Sequence, residues 1–497
     1  MPENFFEEAV PSVRISRANR GTVYPNGKLV LYWMTAFRRT RYNHALERAV
    51  EYAKELRKPL LIVETLASGV RWASDRHHAF VLRGMTDNKA ACATRDVRYY
   101  PFVESKRGET VKLLEALARQ ACVVIGDDFP IKSFQEETRE VVRRVDVRME
   151  MVDSNGLLPL GAADRAFPTA YAFRRFLQKT LPDHLPDVPR TNPLSRLELP
   201  RLRGVPMDIR RRWPPASAKL LLAEVSTLAR LPIDHEVGPV ATLGGSSAAR
   251  RALKNFIERK LIGYPETRNH PDADGTSGLS PYLHFGHISS HEVFRELAKW
   301  EKWSPANLSE KATGKREGWW GMSAAAEAFL DQLVTWRELG FNMSANRADY
   351  DDYESLPDWA RVTLEHHTKD QRQYVYSLEE LDGGLTHDAI WSAAQTQLVT
   401  EGGMHNYMRM LWGKKILQWT EHPRQALDFM IELNNKYALD GQDPNSYSGM
   451  LWILGRYDRP WGPERPIFGK IRFMSSDSAA RKLKLDNYLQ SYGAGER

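Results

Sequence analysis

Apolar and polar positions divide the chain into two halves with different periods. In the first half, short continuous apolar runs alternate with stretches whose apolar residues recur every three to four positions. Lys28–Met34 (KLVLYWM) is one such run and Pro59–Leu66 (PLLIVETL) another; Ala121–Pro130 (ACVVIGDDFP) is a third, ending in an acidic turn. Between them, Asn43–Leu56 and Val111–Gln120 carry helical spacing. Strand-length runs without polar alternation, separated by helices, predict a parallel sheet covered on both faces. The expected element is a Rossmann-like α/β domain over residues 25–155. No G-x-G-x-x-G sequence follows the first run, so dinucleotide binding by that fingerprint is not supported.

Residues 156–245 read as a Pro-rich inter-domain connector. Pro182, Pro186, Pro189, Pro193, Pro200, Pro206, Pro214 and Pro215 break any helical period, and basic residues crowd Arg201–Arg212. Interspersed Leu, Val and Trp213 favour a packed connection over a disordered one. Helical spacing then dominates residues 246–490, in Ala248–Leu261, Ser289–Trp300, Ala324–Leu339, Ala389–Thr400, Met404–Thr420 and Arg424–Asn434. The architecture expected is an α/β N-terminal domain followed by an all-α C-terminal domain.

Composition narrows the class. At 497 residues the chain is long enough for two or three domains. No window approaches the roughly 18 apolar residues of a membrane span, and the start, MPENFFEEAV, lacks the order of a signal peptide. With only Cys92 and Cys122, neither a disulfide framework nor a Cys-based metal site is expected, and a cytoplasmic, reducing setting fits. The net charge of +7 suggests an anionic partner. Eleven of the 14 tryptophans follow position 299, among many Arg and Lys residues, an arrangement suited to splayed bases or a flat cofactor.

Three stretches concentrate chemistry. GTSGLSPYLHFGHIS (Gly275–Ser289) sets glycines and hydroxyls before Ser280-Pro281, a helix-start signal in which Ser280 would cap, and such an end can cradle phosphate. GGMHNYMRMLWGKKILQWT (Gly402–Thr420) puts His405 and Arg409 on one helix face and Trp412 and Trp419 on one face two turns apart. Trp391 belongs to the helix before it. LNNKYALDGQDPNSYSGMLW (Leu433–Trp452) carries turn signals at Asp440-Gly441 and Asp443-Pro444-Asn445. Taken singly, these also read as a capped helix, a Trp-rich core and ordinary turns.

Together, TSGLSPYLHFG, EGGMHNYMRMLW and LDGQDPN, in this order, resemble the photolyase/cryptochrome flavoproteins. The tail RPIFGKIRFM (Arg465–Met474) with WGKKILQWT resembles the class II cyclobutane-pyrimidine-dimer photolyases. The resemblance implies an FAD, fully reduced when active, with Tyr264 and the loop Thr276, Ser277, Gly278, Leu279 and Ser280 around its phosphates. It implies Arg409 and Asp440 as an ion pair beside the flavin ring, next to the Gly441 turn, and Asn434 facing its N5, with Asn445 second for that role. Electrons would pass along Trp412, Trp391 and Trp419, the last at the surface. A flipped-out pyrimidine dimer in UV-damaged DNA would lie among Trp336, Tyr376, Met410 and Trp452. Arg268, Asn269 and the basic residues Lys470, Arg472, Arg481 and Lys482 would contact the lesion's rim and backbone. A deazaflavin or folate antenna in the α/β domain, or none, is compatible with the resemblance; a monomer without membrane contact is expected.

Several positions depart from the pattern. Where relatives carry a pocket Glu one turn before the pocket Trp, this chain has Gln332, with Asp331 adjacent. A Gln can hydrogen-bond a thymine edge but cannot donate a proton as an acid. Asn406 and the MTAFRRTRYNHAL stretch also differ from the class II form. Besides dimer repair, two readings stay open: a cryptochrome-like blue-light receptor, and a (6-4) photolyase, for which His405 is the histidine to consider.

Overall fold

The computed structural model describes residues 10–493; the acidic start read above against a signal peptide lies, but for Val10, outside the described residues. Two compact units emerge, neither contiguous in sequence. One comprises Met1–Asp164, Thr180–Lys254 and Leu279–Pro305; the other Arg165–Lys179, Asn255–Gly278 and Ala306–Arg497.

The first unit holds a six-stranded sheet of β1 (Ile15–Arg17), β2 (Leu29–Met34), β3 (Leu60–Leu66), β4 (Val97–Val103), β5 (Ala121–Asp127) and β6 (Met149–Val152), in the order β1-β6-β5-β2-β3-β4. All neighbours pair in parallel except β1, which lies antiparallel to β6 at the edge. Leu31 sits opposite Leu61 on one side and Val124 on the other. Every residue of β2, β3 and β5 is buried, as a sheet covered on both faces requires. The three expected strands are these three. β1, β4 and β6 went unanticipated because two are very short and the third carries Arg98 and Pro101. The helix α2 (Asp75–Cys92) was also missed, since its buried face includes Arg76, His77, His78 and Asn88.

Polar side chains shape the turn after β2. Asp127, at the end of β5, accepts the N–H groups of Thr35, Ala36 and Phe37 at 2.8–2.9 Å and the Tyr32 hydroxyl at 2.8 Å. Asn43 caps α1 (His44–Glu55) by accepting from Leu46 N–H, and its amide donates to Tyr32 Oη and the carbonyls of Phe37 and Arg39. A carboxylate thus organises the turn that glycines shape in the dinucleotide fingerprint. Within the proline-rich stretch, Val205, Ile209 and Trp213 pack against the sheet's core, and Leu221, Leu228 and Leu231 join a second cluster with Leu66 and Leu82.

The second unit is helical. The expected helix Ala324–Leu339 is α3 (Ala324–Leu330) and α4 (Arg337–Asn346) joined by a π-turn, Asp331–Trp336. It continues with α5 (Ala389–Glu401), α6 (Asn406–Trp419), α7 (Pro423–Tyr437) and α8 (Pro444–Ile453). A Cβ on Gly340 would stand 2.8 Å from Asn445 Cα, so α4 and α8 touch backbone to backbone there. Among the described residues no helix is long and apolar enough to cross a membrane, and no group of three or more His, Cys, Asp or Glu could hold a metal. Cys92 and Cys122 are buried free thiols.

Candidate functional site

Three indoles form a continuous series in the second unit. Asp388 caps α5 by accepting from Trp391 N–H at 3.1 Å, which fixes Trp391 in the helix's first turn. Trp412 and Trp419 lie on α6, and α5 packs against it. The rings of Trp391 and Trp412 are 6.4 Å apart and parallel within 2°; those of Trp391 and Trp419 are 5.6 Å apart, edge to face. Trp391 Nε1 donates to the Trp412 carbonyl and Trp412 Nε1 to Gln395 Oε1, each at 2.9 Å. Exposures are 0%, 1% and 2% for Trp391, Trp412 and Trp419.

Trp419 is therefore not at the surface, which corrects the expectation above. Tyr376 and His387, each with its ring 5.3 Å away, cover it. The expectation came with the resemblance, and the helical spacing around Trp419 does not reveal the segment folded over it. Tyr376 is one of these two covering residues. It lies on Trp419 and hydrogen-bonds His387, whereas Trp336 stacks on Trp452 at 4.8 Å and 22°. Asp388 was recoverable from sequence as a cap before an apolar helix; nothing marked Gln395.

Arg409 Nη2 meets Asp440 Oδ1 at 3.2 Å, and both side chains stay partly accessible. Asn434 stands nearby in sequence and is buried. Its Nδ2 donates to Ser446 Oγ at 2.9 Å and to Asn435 Oδ1 at 3.2 Å. The orientation follows from the neighbours. Asn435 Oδ1 also accepts from Gln442 N–H, while Asn435 Nδ2 donates to Tyr447 Oη, so Asn435 presents an acceptor to Asn434. Asn434 Oδ1 is left as the outward-facing group. A carbonyl oxygen and a guanidinium together suit a ring that offers an N–H and carries negative charge, as a reduced flavin does; the donor set fits that cofactor. Asn445, the second candidate, is exposed and its backbone N–H is capped by Asp443.

Along the phosphate-loop candidate, Gly278 has φ +64° with open space where a Cβ would be, so its need is conformational. Leu279, not Ser280, is the N-cap of the short helix Ser280–His284, and no side chain caps it. Proline falls one position deeper than the capping expectation placed it. Thr276 and Ser277 are half-buried, and Tyr264 is held edge-on between Phe256 and Phe329 with Arg268 over its ring at 5.7 Å. Burial raises the Tyr264 phenol above its ordinary pKa. His405 is the N-cap of α6, and burial pulls its imidazole down to about 4.

The π-turn sets the partner of Trp336. Bonding i to i+5 brings Asp331 under Trp336, and its Oδ2 accepts the indole Nε1 at 3.2 Å. Its Oδ1 is held by Arg174 Nε and Nη2 at 2.9 and 2.7 Å, a buried pair. Gln332, read as the pocket position, is half-buried beside it, as are Met410 and Trp452. Arg174 carried no sequence signal, lying 157 residues from its partner. Of the residues expected at the lesion's rim, Asn269, Arg481 and Lys482 are exposed; Lys470 pairs with Glu464 at 3.2 Å and Arg472 lies over Trp461.

The DNA photolyase family pattern matches residues 30–194. The deoxyribodipyrimidine photo-lyase of Methanothermobacter thermautotrophicus is 34% identical over 93% of this chain and 94% of its own. That of Arabidopsis thaliana is 32% identical over 93% and 88%, and that of Potorous tridactylus 31% over 92% and 80%. The chain belongs to the DNA photolyase family. In fold it is similar to a bacterial class III photolyase from Agrobacterium tumefaciens (TM-score 0.66, 16% identity, 94% of this chain and 86% of that one). A cryptochrome from Synechocystis is similar too (TM-score 0.64, 14% identity, 93% and 88%).

Proposed function

We propose that this chain is a deoxyribodipyrimidine photo-lyase of the class II kind, which uses blue or near-UV light to split cyclobutane pyrimidine dimers in DNA. The observation that carries this reading is likeness to photo-lyases across more than nine-tenths of the chain, through the helical half that bears the candidate site as well as the α/β half. On this reading, residues 246–490 are the catalytic domain, residues 156–245 the connector, and residues 25–155 the domain that takes a deazaflavin or folate antenna if one is used.

Tyr264, Thr276, Ser277, Gly278, Leu279 and Ser280 would hold the FAD phosphates. Arg409, paired with Asp440 at the Gly441 turn, would oppose negative charge on the ring, and Asn434 Oδ1 would accept its N–H. When bound and fully reduced, FAD supplies the electron that opens the cyclobutane ring and takes it back. The protein's part is to bind and orient. A dimer must leave the base stack to be reached, as in base-flipping enzymes generally, photolyases among them. Its already distorted pairing lowers the cost. Trp336, Trp452 and Met410 would form apolar walls for it, with Asp331 fixing the Trp336 indole. Arg268, Asn269, Lys470 and Arg472 would meet phosphates at the rim, where cationic contacts position the duplex without reading sequence. Gln332 would hydrogen-bond a pyrimidine edge. His405, neutral at physiological pH, would not serve as a charged acid for (6-4) chemistry. Trp412, Trp391 and Trp419 would bring electrons inward to restore the reduced cofactor. A monomer in the cytoplasm completes the reading.

The test is repair of a defined dimer-containing oligonucleotide by purified, photoreduced protein. Dimer loss only under blue or near-UV light supports the photo-lyase. Protein that carries FAD and photoreduces, yet leaves the dimer intact, moves the blue-light receptor to first place and points to Gln332 as the reason.

A further inference from the structure

We infer that Asp272 and Tyr488 are positioning residues for the flavin site: through them the helix α9 (Asp486–Tyr492) clasps the approach to the phosphate loop and the start of the Arg409 helix in one frame. The clasp rests on the FAD reading proposed above and adds two residues to it.

The N-cap of α9 is Leu485, which offers no side-chain acceptor. Asp272 takes that place from a distant part of the chain. Its Oδ1 accepts the Tyr488 N–H at 2.8 Å and its Oδ2 the Asn487 N–H at 3.1 Å, across 216 and 215 residues. A carboxylate there satisfies N–H groups that a helix start leaves without partners, and opposes the positive end of the helix dipole. Asp272 itself stands in the short turn Pro271–Ala273, just before the phosphate loop. The stretch between is pinned twice more. Lys260 Nζ reaches the exposed Asp274 at 2.7 Å, and Gly275 lies so close to Thr267 that a Cβ would fall 2.2 Å from its Oγ1. Thr276, Ser277 and Gly278 follow directly.

The same helix reaches the residue proposed to oppose the ring's charge. Tyr488 is buried, and its hydroxyl donates to Gln397 Oε1, on α5, at 3.0 Å. That oxygen also accepts the His405 N–H at 3.3 Å. His405 is the N-cap of α6: its Nδ1 accepts from Tyr407 N–H at 3.3 Å, and its carbonyl accepts the Arg409 N–H at 2.8 Å. One amide oxygen thus joins α9 to the first turn of the helix that carries Arg409. A loop and a guanidinium that a ligand must order weaken its binding; held in place beforehand, they do not.

The competing reading is that α9 only covers the unit and stabilises it as a whole. The rate of flavin release separates the two, followed by flavin fluorescence after FAD-loaded protein is diluted. Tyr488→Phe, which removes one hydroxyl, and Asp272→Ala should each release flavin about two- to tenfold faster than the parent, the size of a hydrogen bond. Ser377→Ala removes a helix cap elsewhere in the same unit, at the helix Leu378–Asp382. It should melt lower yet release flavin at the parent's rate. Circular dichroism checks that each variant folds; if Asp272→Ala does not, Tyr488→Phe decides alone. Release at the parent's rate from Tyr488→Phe, or release from Ser377→Ala as fast as from Tyr488→Phe, overturns the inference while leaving FAD binding intact. A parent protein that takes up no FAD sinks the cofactor reading and the clasp with it.

Discussion

The two units treat their buried polar groups differently. In the first, Glu64 accepts from Arg38, Asn88 and Tyr99 at 3.2, 2.8 and 2.6 Å, and Asp127 from three backbone amides and a phenol. Arg14 is spent on Asp153 and the carbonyls of Gly156 and Leu157. These networks close on themselves and fix turns around the sheet. In the second unit, Arg409 and Asp440 remain partly accessible, and the Asn434 amide is anchored by its nitrogen so that its oxygen is left over. A closed network stabilises; one with a spare lone pair or donor is available to a ligand. Arg174–Asp331 is intermediate, a closed pair with one bond extended to Trp336.

The contrast can be broken at its strongest point first. Asp127→Ala leaves three N–H groups and the Tyr32 hydroxyl buried without an acceptor, at about 1–3 kcal/mol each. Urea titration followed by circular dichroism should show the α/β unit unfolded or nearly so. Next, Asp331→Asn leaves the Arg174 charge buried and unpaired, a loss of about 3–5 kcal/mol, read as a lowered melting temperature. An unchanged melting point would mean Arg174 finds water instead.

A smaller effect is expected from pH, with opposite signs in the two units. Burial pulls Lys414, whose ammonium donates to the Ile453 carbonyl, from 10.5 down to about 7. Between those values the unfolded chain binds the extra proton, so stability should rise with pH, and Lys414→Met should remove the rise. Burial lifts Glu47 from 4.5 to about 7. Here the folded chain holds the extra proton, so this contribution falls as pH climbs from 4.5 to 7, and Glu47→Gln should abolish the fall. Denaturant midpoints across pH test both. The smallest stability change belongs to Arg409→Ala, about 1 kcal/mol for so accessible a pair. The flavin-to-protein absorbance ratio of the purified variant should nevertheless drop sharply. Full flavin occupancy would remove Arg409 from the cofactor reading.

Much of this was legible in the chain. Periodicity located β2, β3 and β5 and the main helices, because burial on both faces leaves a continuous apolar run and burial on one leaves a helical stripe. It passed over β4, whose run is interrupted by the exposed Arg98, and α2, whose buried face carries Arg76 and Asn88 bonded to Gly238 and Glu64 elsewhere in the chain. Motif order pointed to the family, and the end-to-end relatives agree.

By itself, then, the sequence determined the class of each half and the family to which the chain belongs. Only tertiary structure decided that Asp331 holds the Trp336 indole, since an α-helical count cannot foresee a π-turn. It alone paired Arg174 with Asp331 across 157 residues and laid Tyr376 and His387 over Trp419. The reason is physical. A pattern of apolar positions reports that a face is buried, through the area it removes from water, and carries no record of which distant segment does the burying.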